Sequence, residues 1–232
     1  MRRIFPILLS LSLVILPVRG TENAKYIALT FDDGPSGRYT RQLLDGLYTR
    51  EVKATFLLCG YRMQEYPELT ERIFQEGHEI GYHGFTHDSM KTMSRRAIAG
   101  EIMDSQVLLP EGCAPVFLRP PGGCCSDGVR QVAEARGLSI LSWSVDPRDW
   151  ATKDTLSIER AVITHIRDGD IVLLHDMSAS SVLAALDIID ALREQGFSFV
   201  TVSQLAKLRS IRLKPGKTYT CFPPKKEEEK LK

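Results

Sequence analysis

The sequence has no surplus of either charge: 30 lysines and arginines face 29 aspartates and glutamates over 232 residues, a formal net charge of +1. Bulk charge therefore gives no basis for a nucleic-acid partner, and none is expected. Cysteine is sparse as well. The five stand at Cys59, Cys113, Cys124, Cys125 and Cys221, and no two are spaced Cys-x-x-Cys, so a zinc site built from cysteine is not expected. An odd count leaves at least one thiol unpaired. The neighbours Cys124 and Cys125 are poorly placed to bridge each other. A bridge from Cys113 to one of them, and no bridge at all, are both open. There is no internal repeat. There is also no apolar run of the roughly 20 residues that a membrane span needs.

What is present begins with 43% hydrophobic and 25% charged residues, ordinary proportions for a chain that buries a sizeable core in one domain. Arg2 and Arg3 precede an apolar run from Ile4 to Val18, broken by Pro6, Ser10, Ser12 and Pro17. Val18-Arg19-Gly20 then sets small or apolar residues where a signal peptidase reads. This is the layout of a secretory signal peptide, with an uncleaved N-terminal anchor as the other reading. Either one exports the rest of the chain, and a membrane partner follows only if the segment is kept. The expected divisions are 1–20 for this segment, 24–209 for the domain and 210–232 for a solvated polar tail.

Between those limits strands and helices alternate. Tyr26–Thr30, Lys53–Leu58, Glu79–Tyr82, Val116–Leu118, Leu138–Trp143, Ile171–Leu174 and Phe197–Val202 read as short strands. Apolar residues at helical spacing fall between them, as with Tyr39, Leu43, Leu44, Leu47 and Tyr48, or Val182, Leu186, Ile189 and Leu192. Buried strands alternating with helices imply a parallel sheet covered by helices, and six or seven units suit a closed or nearly closed barrel.

Chemically suggestive residues stand just past several strands, where parallel α/β folds build their sites. Asp32-Asp33-Gly34-Pro35 offers two adjacent carboxylates, one for a metal and one for a proton. His83 and His87, four apart, suit one metal, and a carboxylate with two histidines leaves coordination positions open. Arg119-Pro120-Pro121-Gly122-Gly123 offers a guanidinium to hold a carboxylate and free backbone N–H groups. Asp146-Pro147-Arg148-Asp149-Trp150 and Leu173-Leu174-His175-Asp176 offer a histidine with a carboxylate to orient it, a pairing suited to general acid work.

Asp-Asp-Gly, His-x-x-x-His, Arg-x-Pro, Asp-x-x-Asp-Trp and Leu-x-His, in that order, resemble the polysaccharide deacetylase family with its NodB-homology domain, carbohydrate esterase family 4. The resemblance runs from about Tyr26 to Leu208. It implies a distorted parallel (β/α) barrel and a metal-dependent hydrolase that removes N-acetyl groups from amino sugars. The implied partner is an N-acetylated extracellular or cell-wall polysaccharide, peptidoglycan or chitin-like. An O-acetyl xylan esterase with the same site and a non-catalytic glycan-binding wall protein are the alternatives. Residue by residue, it implies Asp32 as the base, tethered by Arg119, and Asp33, His83 and His87 as ligands of a divalent metal. That metal would be zinc before cobalt, manganese or nickel. It implies Asp149 orienting the acid His175, a Gly122 N–H at the oxyanion, and Trp150 and Leu174 as apolar walls of the acetyl pocket. Two positions depart from the family pattern. Gly84 replaces the Ser or Thr whose hydroxyl would steady the histidine loop, leaving Thr86 as a substitute. Gly122 replaces an aromatic residue, which keeps the backbone donor and removes a groove wall.

Overall fold

The structure is a computed structural model and describes residues 24–224. The exported segment expected at 1–20 lies outside the described residues. Among the described residues no helix is long and apolar enough to cross a membrane.

Among the described residues eight strands and eight α-helices follow one another as β1 (Lys25–Asp32), α1 (Gly37–Thr49), β2 (Thr55–Leu58), α2 (Gly60–Glu65), α3 (Pro67–Gln75), β3 (Glu79–Tyr82), α4 (Arg95–Gln106), β4 (Phe117–Leu118), α5 (Asp127–Ala135), β5 (Ser139–Leu141), α6 (Thr155–Ile163), β6 (Ile171–His175), α7 (Ala179–Glu194), β7 (Phe197–Phe199), α8 (Val202–Leu208) and β8 (Thr218–Tyr219). The sheet runs β6-β1-β2-β3-β4-β5-β8, all parallel, with β7 paired to the start of β1. A parallel bridge between Val145 and Val172 joins the chain beyond β5 to β6, and an antiparallel one between Asp170 and Cys221 joins β6 to the chain beyond β8. The sheet thus curls round into the distorted barrel that the alternation implies.

Strand residues point alternately to the two faces, and the sequence uses both. Ala28, Leu57, Phe117, Leu141 and Ile171, one from each of five strands, form a single interior cluster. Leu29, Phe31, Phe56, Leu58, Val172 and Leu174 pack outward on a layer that includes Leu43, Leu44 and Leu47 of α1 and Ile188, Ile189 and Leu192 of α7. Tyr82, Leu118 and Ile140 do the same against Ile98 and Ile102 of α4 and Val129 and Val132 of α5. Burying each such side chain stabilises the fold by about 1.5–3 kcal/mol. Both faces being apolar is why the strands read as unbroken hydrophobic runs.

The chain after α8 differs from the expected solvated tail through residue 224. Tyr219 and Phe222 stack with ring centroids 5.4 Å apart and complete the interior cluster with Val202, Leu205 and Ala206 of α8. β8 has only two residues, too few for an alternation to show among charged neighbours. Helix α2 is likewise too short to declare a period. All five cysteines are free thiols.

Candidate active site and metal centre

The parallel strands end together, and their ends carry the polar groups. Asp32 closes β1, His83 follows β3, Arg119 follows β4 and His175 closes β6, with β1 and β6 in register at Asp32 and His175.

Asp33, His83 and His87 bring one ligand atom each within 4.8 Å of one another. His83 is fixed from behind: its Nδ1 lies 2.7 Å from the Arg119 carbonyl oxygen, an acceptor, so Nδ1 carries the hydrogen and Nε2 presents a lone pair. That Nε2 stands 3.2 Å from Asp33 Oδ1, and His87 Nε2 stands 3.0 Å from the same oxygen. Asp33 Oδ1 is buried and makes no hydrogen bond of acceptable geometry. A lone pair and a carboxylate oxygen face each other at contact distance, an arrangement that a shared cation relieves. The donor set therefore fits a divalent metal. Burial pushes the Asp33 carboxyl up, but the imidazoles of His83 and His87 outweigh it and hold it well below the usual carboxylate range. The same contact with Asp33 raises His87, against its burial. The backbone is left-handed at both Asp33 (φ 73°) and His87 (φ 67°).

Two proton-handling pairs flank this triad. Arg119 is fully buried and donates from Nη1 to Asp32 Oδ1 at 2.6 Å and to Thr30 Oγ1 at 2.8 Å. Its Nη2 donates to the Ser142 carbonyl at 2.9 Å, and its guanidinium lies 5.5 Å from the centre of the Trp143 ring. Asp32 is thus tied by one oxygen, while Oδ2 faces His83 Nε2 at 3.8 Å. Across the cleft, buried Asp149 grips His175 twice, through Oδ1 to Nδ1 and through Oδ2 to the backbone N–H, each at 2.8 Å. Burial alone would lower the His175 pKa, but the Asp149 carboxylate raises it to about 9, helped by Asp32 and Asp33. His175 is therefore an imidazolium at neutral pH. Its Nε2 lies 4.0 Å from Asp33 Oδ2. Asp32, Asp33, His83, His87 and His175 line one cleft of about 420 Å³, with Arg119 and Asp149 buried behind them.

A family model described as polysaccharide deacetylase matches residues 19–141. The chain belongs to the polysaccharide deacetylase family. Relatives match about four-fifths of its length. A peptidoglycan-N-acetylglucosamine deacetylase of Bacillus cereus is 39% identical over 81% of this chain and 91% of its own. The peptidoglycan-N-acetylmuramic acid deacetylase PdaC of Bacillus subtilis is 38% identical over 82% of this chain, which spans 40% of that longer protein. Among solved structures, a family 4 acetyl xylan esterase from Clostridium thermocellum, in complex with a cobalt ion, superposes with a TM-score of 0.79 at 33% identity, covering 86% of this chain and 100% of that one.

In this polysaccharide deacetylase Asp32, Asp33, His83, His87, Gly122, Trp150 and His175 line the cleft, Arg119 and Asp149 hold two of them from buried positions behind it, and Leu174 is the exception. Leu174 lies in the outer layer, fully buried against the helices, and it is Leu173 that lines the cleft. The reason is the strand's period of two. Leu173 shares a face with His175, whereas Leu174 shares one with Val172. Trp150 lies on the rim, 63% exposed, with the Arg148 guanidinium 5.4 Å from its ring centre. Gly122 borders the cleft at φ 66°, and a side chain there would meet nothing within 4 Å.

Three contributors escaped the sequence reading. Trp143 walls the cleft and packs so closely on Gly123 that a β-carbon there would sit 2.6 Å from the indole. Asp176 is fully buried behind the Asp33 turn, accepts the Thr40 hydroxyl, and has its carboxyl pushed up to about 7 by burial. It also excludes any side chain at Gly34, where a β-carbon would lie 2.4 Å from its carboxylate oxygen. Glu101 of α4 holds the loop between the two histidines. None of the three had a readable signal, whereas Leu173 did, two positions before His175.

Proposed function

We propose that the chain is a metal-dependent hydrolase that removes N-acetyl groups from the amino sugars of an extracellular or cell-wall glycan, releasing acetate. The observation that carries this reading is the opposition of two proton-handling groups across one candidate metal triad. Asp32 is a carboxylate anchored by Arg119, and His175 is an imidazolium anchored by Asp149. Amide hydrolysis needs both, since water must lose a proton to attack and the amide nitrogen must gain one to leave.

Asp33, His83 and His87 would hold the cation, with zinc the first candidate and cobalt, manganese or nickel as substitutes. When bound, it polarises the acetamide carbonyl and acidifies water in the cleft. Asp32, its outer oxygen turned toward the triad, takes the proton of the attacking water. Arg119 keeps Asp32 in place. The Gly122 N–H donates to the oxygen on which negative charge develops. His175 then delivers its proton to the nitrogen, and the C–N bond breaks to give acetate and a free amine. Trp150 and Leu173 wall the acetyl group, with Leu173 in the position expected of Leu174.

The basic and apolar start of the sequence supports export. Peptidoglycan is the first substrate to test, because relatives that deacetylate it align over four-fifths of the chain. The experiment is acetate release by the metal-loaded protein from N-acetylglucosamine oligomers, purified peptidoglycan and acetylated xylan, each with zinc, cobalt or chelator. Chelator-sensitive release from an N-acetylated glycan is expected. Asp32→Asn should lower it about 10²–10⁴-fold with metal still bound. Near-normal turnover by that variant would remove Asp32 as the base, and release from xylan alone would make the protein an esterase.

A further inference from the structure

The loop that carries His87 leaves β3 through a left-handed Gly84 (φ 83°) and ends on a left-handed ligand, His87. Such a reversal strips its backbone of ladder partners, and each group must find one elsewhere. The carbonyls turn toward α2, where the Gly60 and Tyr61 N–H groups donate to the Gly84 and Phe85 oxygens at 2.9 and 3.0 Å. The N–H groups turn the other way. Those of Phe85 and Thr86 both donate to one oxygen of Glu101, Oε2, at 2.6 and 2.9 Å. The Thr86 hydroxyl lies 3.2 Å from that oxygen and 3.0 Å from Asp88 Oδ2. One turn further along α4, Ser105 donates to the Gly84 carbonyl at 3.1 Å. Glu101 stands on a helix seated by buried Ile98 and Ile102, so its carboxylate is a fixed point.

We propose that Glu101 is a positioning residue for the metal centre: its carboxylate gathers the two loop N–H groups and thereby sets the backbone path that aims His87 at the cation. This rests on the metal reading of Asp33, His83 and His87. The three ligands do not depend on Glu101 equally. Asp33 is placed by the end of β1. His83 is placed by β3 and by the Arg119 carbonyl behind its ring. His87 has a side chain 42% exposed and no fixed partner behind its ring among the described residues. It has only the loop, and Glu101 is the side chain that accepts that loop's Phe85 and Thr86 N–H groups. The missing hydroxyl at position 84 is explained too. A β-carbon on Gly84 would lie 3.1 Å from Glu101 Oε2, so the α4 carboxylate stands where a loop side chain would be.

The test is zinc affinity, measured on chelator-stripped full chain by competition with a chromophoric chelator. Partners that orient metal ligands are typically worth 10–100-fold in metal affinity, so Glu101→Ala should weaken zinc binding by about that factor. Its metal-free melting temperature should stay within about 4 °C of wild type. Glu101→Gln, whose single amide oxygen can accept both N–H groups, should rescue binding to near wild-type affinity. Wild-type affinity in Glu101→Ala would overturn the proposal, as would equal weakening in the Gln variant, which would assign the effect to charge. If the Ala variant does not fold, Glu101→Asp, one methylene short of the loop, replaces it, and undiminished binding there is equally fatal. His83→Ala serves as the benchmark. Unchanged zinc binding in that variant would remove the metal reading itself and not the role of Glu101.

Discussion

Strand β3 is bracketed by two buried histidines, His78 immediately before it and His83 immediately after it. Their surroundings differ at one atom. His78 Nδ1 accepts the Ala54 N–H at 3.1 Å, so its hydrogen sits on Nε2, which has no hydrogen-bond partner. Its ring meets the edge of Phe56 at 5.3 Å. His83 Nδ1 instead meets a carbonyl, and its Nε2 lone pair points at Asp33. A backbone donor behind the ring makes one histidine a packing piece. A backbone acceptor leaves the other's Nε2 lone pair open to the proposed metal. The strand's polarity decides which is which, because the loops beyond the C-terminal ends of parallel strands are free to bring the polar groups of several strands together.

The sharpest way to break this comparison is to delete each ring. His83→Ala should weaken zinc binding more than about 100-fold and abolish acetate release, because it removes a ligand outright. His78→Gln should leave both near wild type, as measured by chelator competition and acetate assay. Loss of metal in His78→Gln would mean that the two ends of β3 are not separable.

His175 extends the comparison to a third environment, a carboxylate behind the ring. Asp149→Asn should lower acetate release about 10²-fold. In the metal-free protein it should pull the His175 pKa down from about 9 toward its ordinary value, read by NMR titration of the imidazole. The sign follows from the raised pKa. The stability that His175 contributes is complete below its unfolded pKa near 6.5 and disappears as pH rises through 9. An unmoved resonance would dissociate the proton on His175 from Asp149.

His78 should behave oppositely, and its effect is the smallest. Burial first, then the charges of Lys53 and Arg72, lower its pKa to about 3. The fold therefore favours the neutral ring. That stability is present above pH 6.5 and is lost as pH falls toward 3, at up to about 1.4 kcal/mol per pH unit. Denaturant unfolding of the metal-free protein at pH 7 and pH 5 should show this loss, and His78→Gln should reduce it. An equal loss in the variant would place the acid sensitivity elsewhere.

The two histidines also mark where the sequence could and could not be read. Both faces of the strands are apolar, so the alternation of elements was legible, as was the clustering of Asp32, Asp33, His83, His87, Arg119, Asp149 and His175 beyond strand ends. Leu174 was misplaced by one residue although the Leu-x-His pattern puts its leucine at 173, on the strand face that also carries His175. Tyr219 and Phe222 were invisible as core because the two-residue strand that carries Tyr219, and the chain just beyond it that carries Phe222, are specified by the barrel interior they complete. Glu101 was silent for a different reason. Its partners are backbone N–H groups sixteen and fifteen residues away, and backbone groups leave no trace in side-chain identity.

Asp33 and His87 sit at φ values that glycine adopts freely and other residues adopt at a cost of about 1–2 kcal/mol. A copy of this gene released from selection for activity would therefore have an open downhill route. Glycine at either position relaxes the backbone while erasing a ligand, so decay of function and gain of robustness would accumulate together in the same lineage.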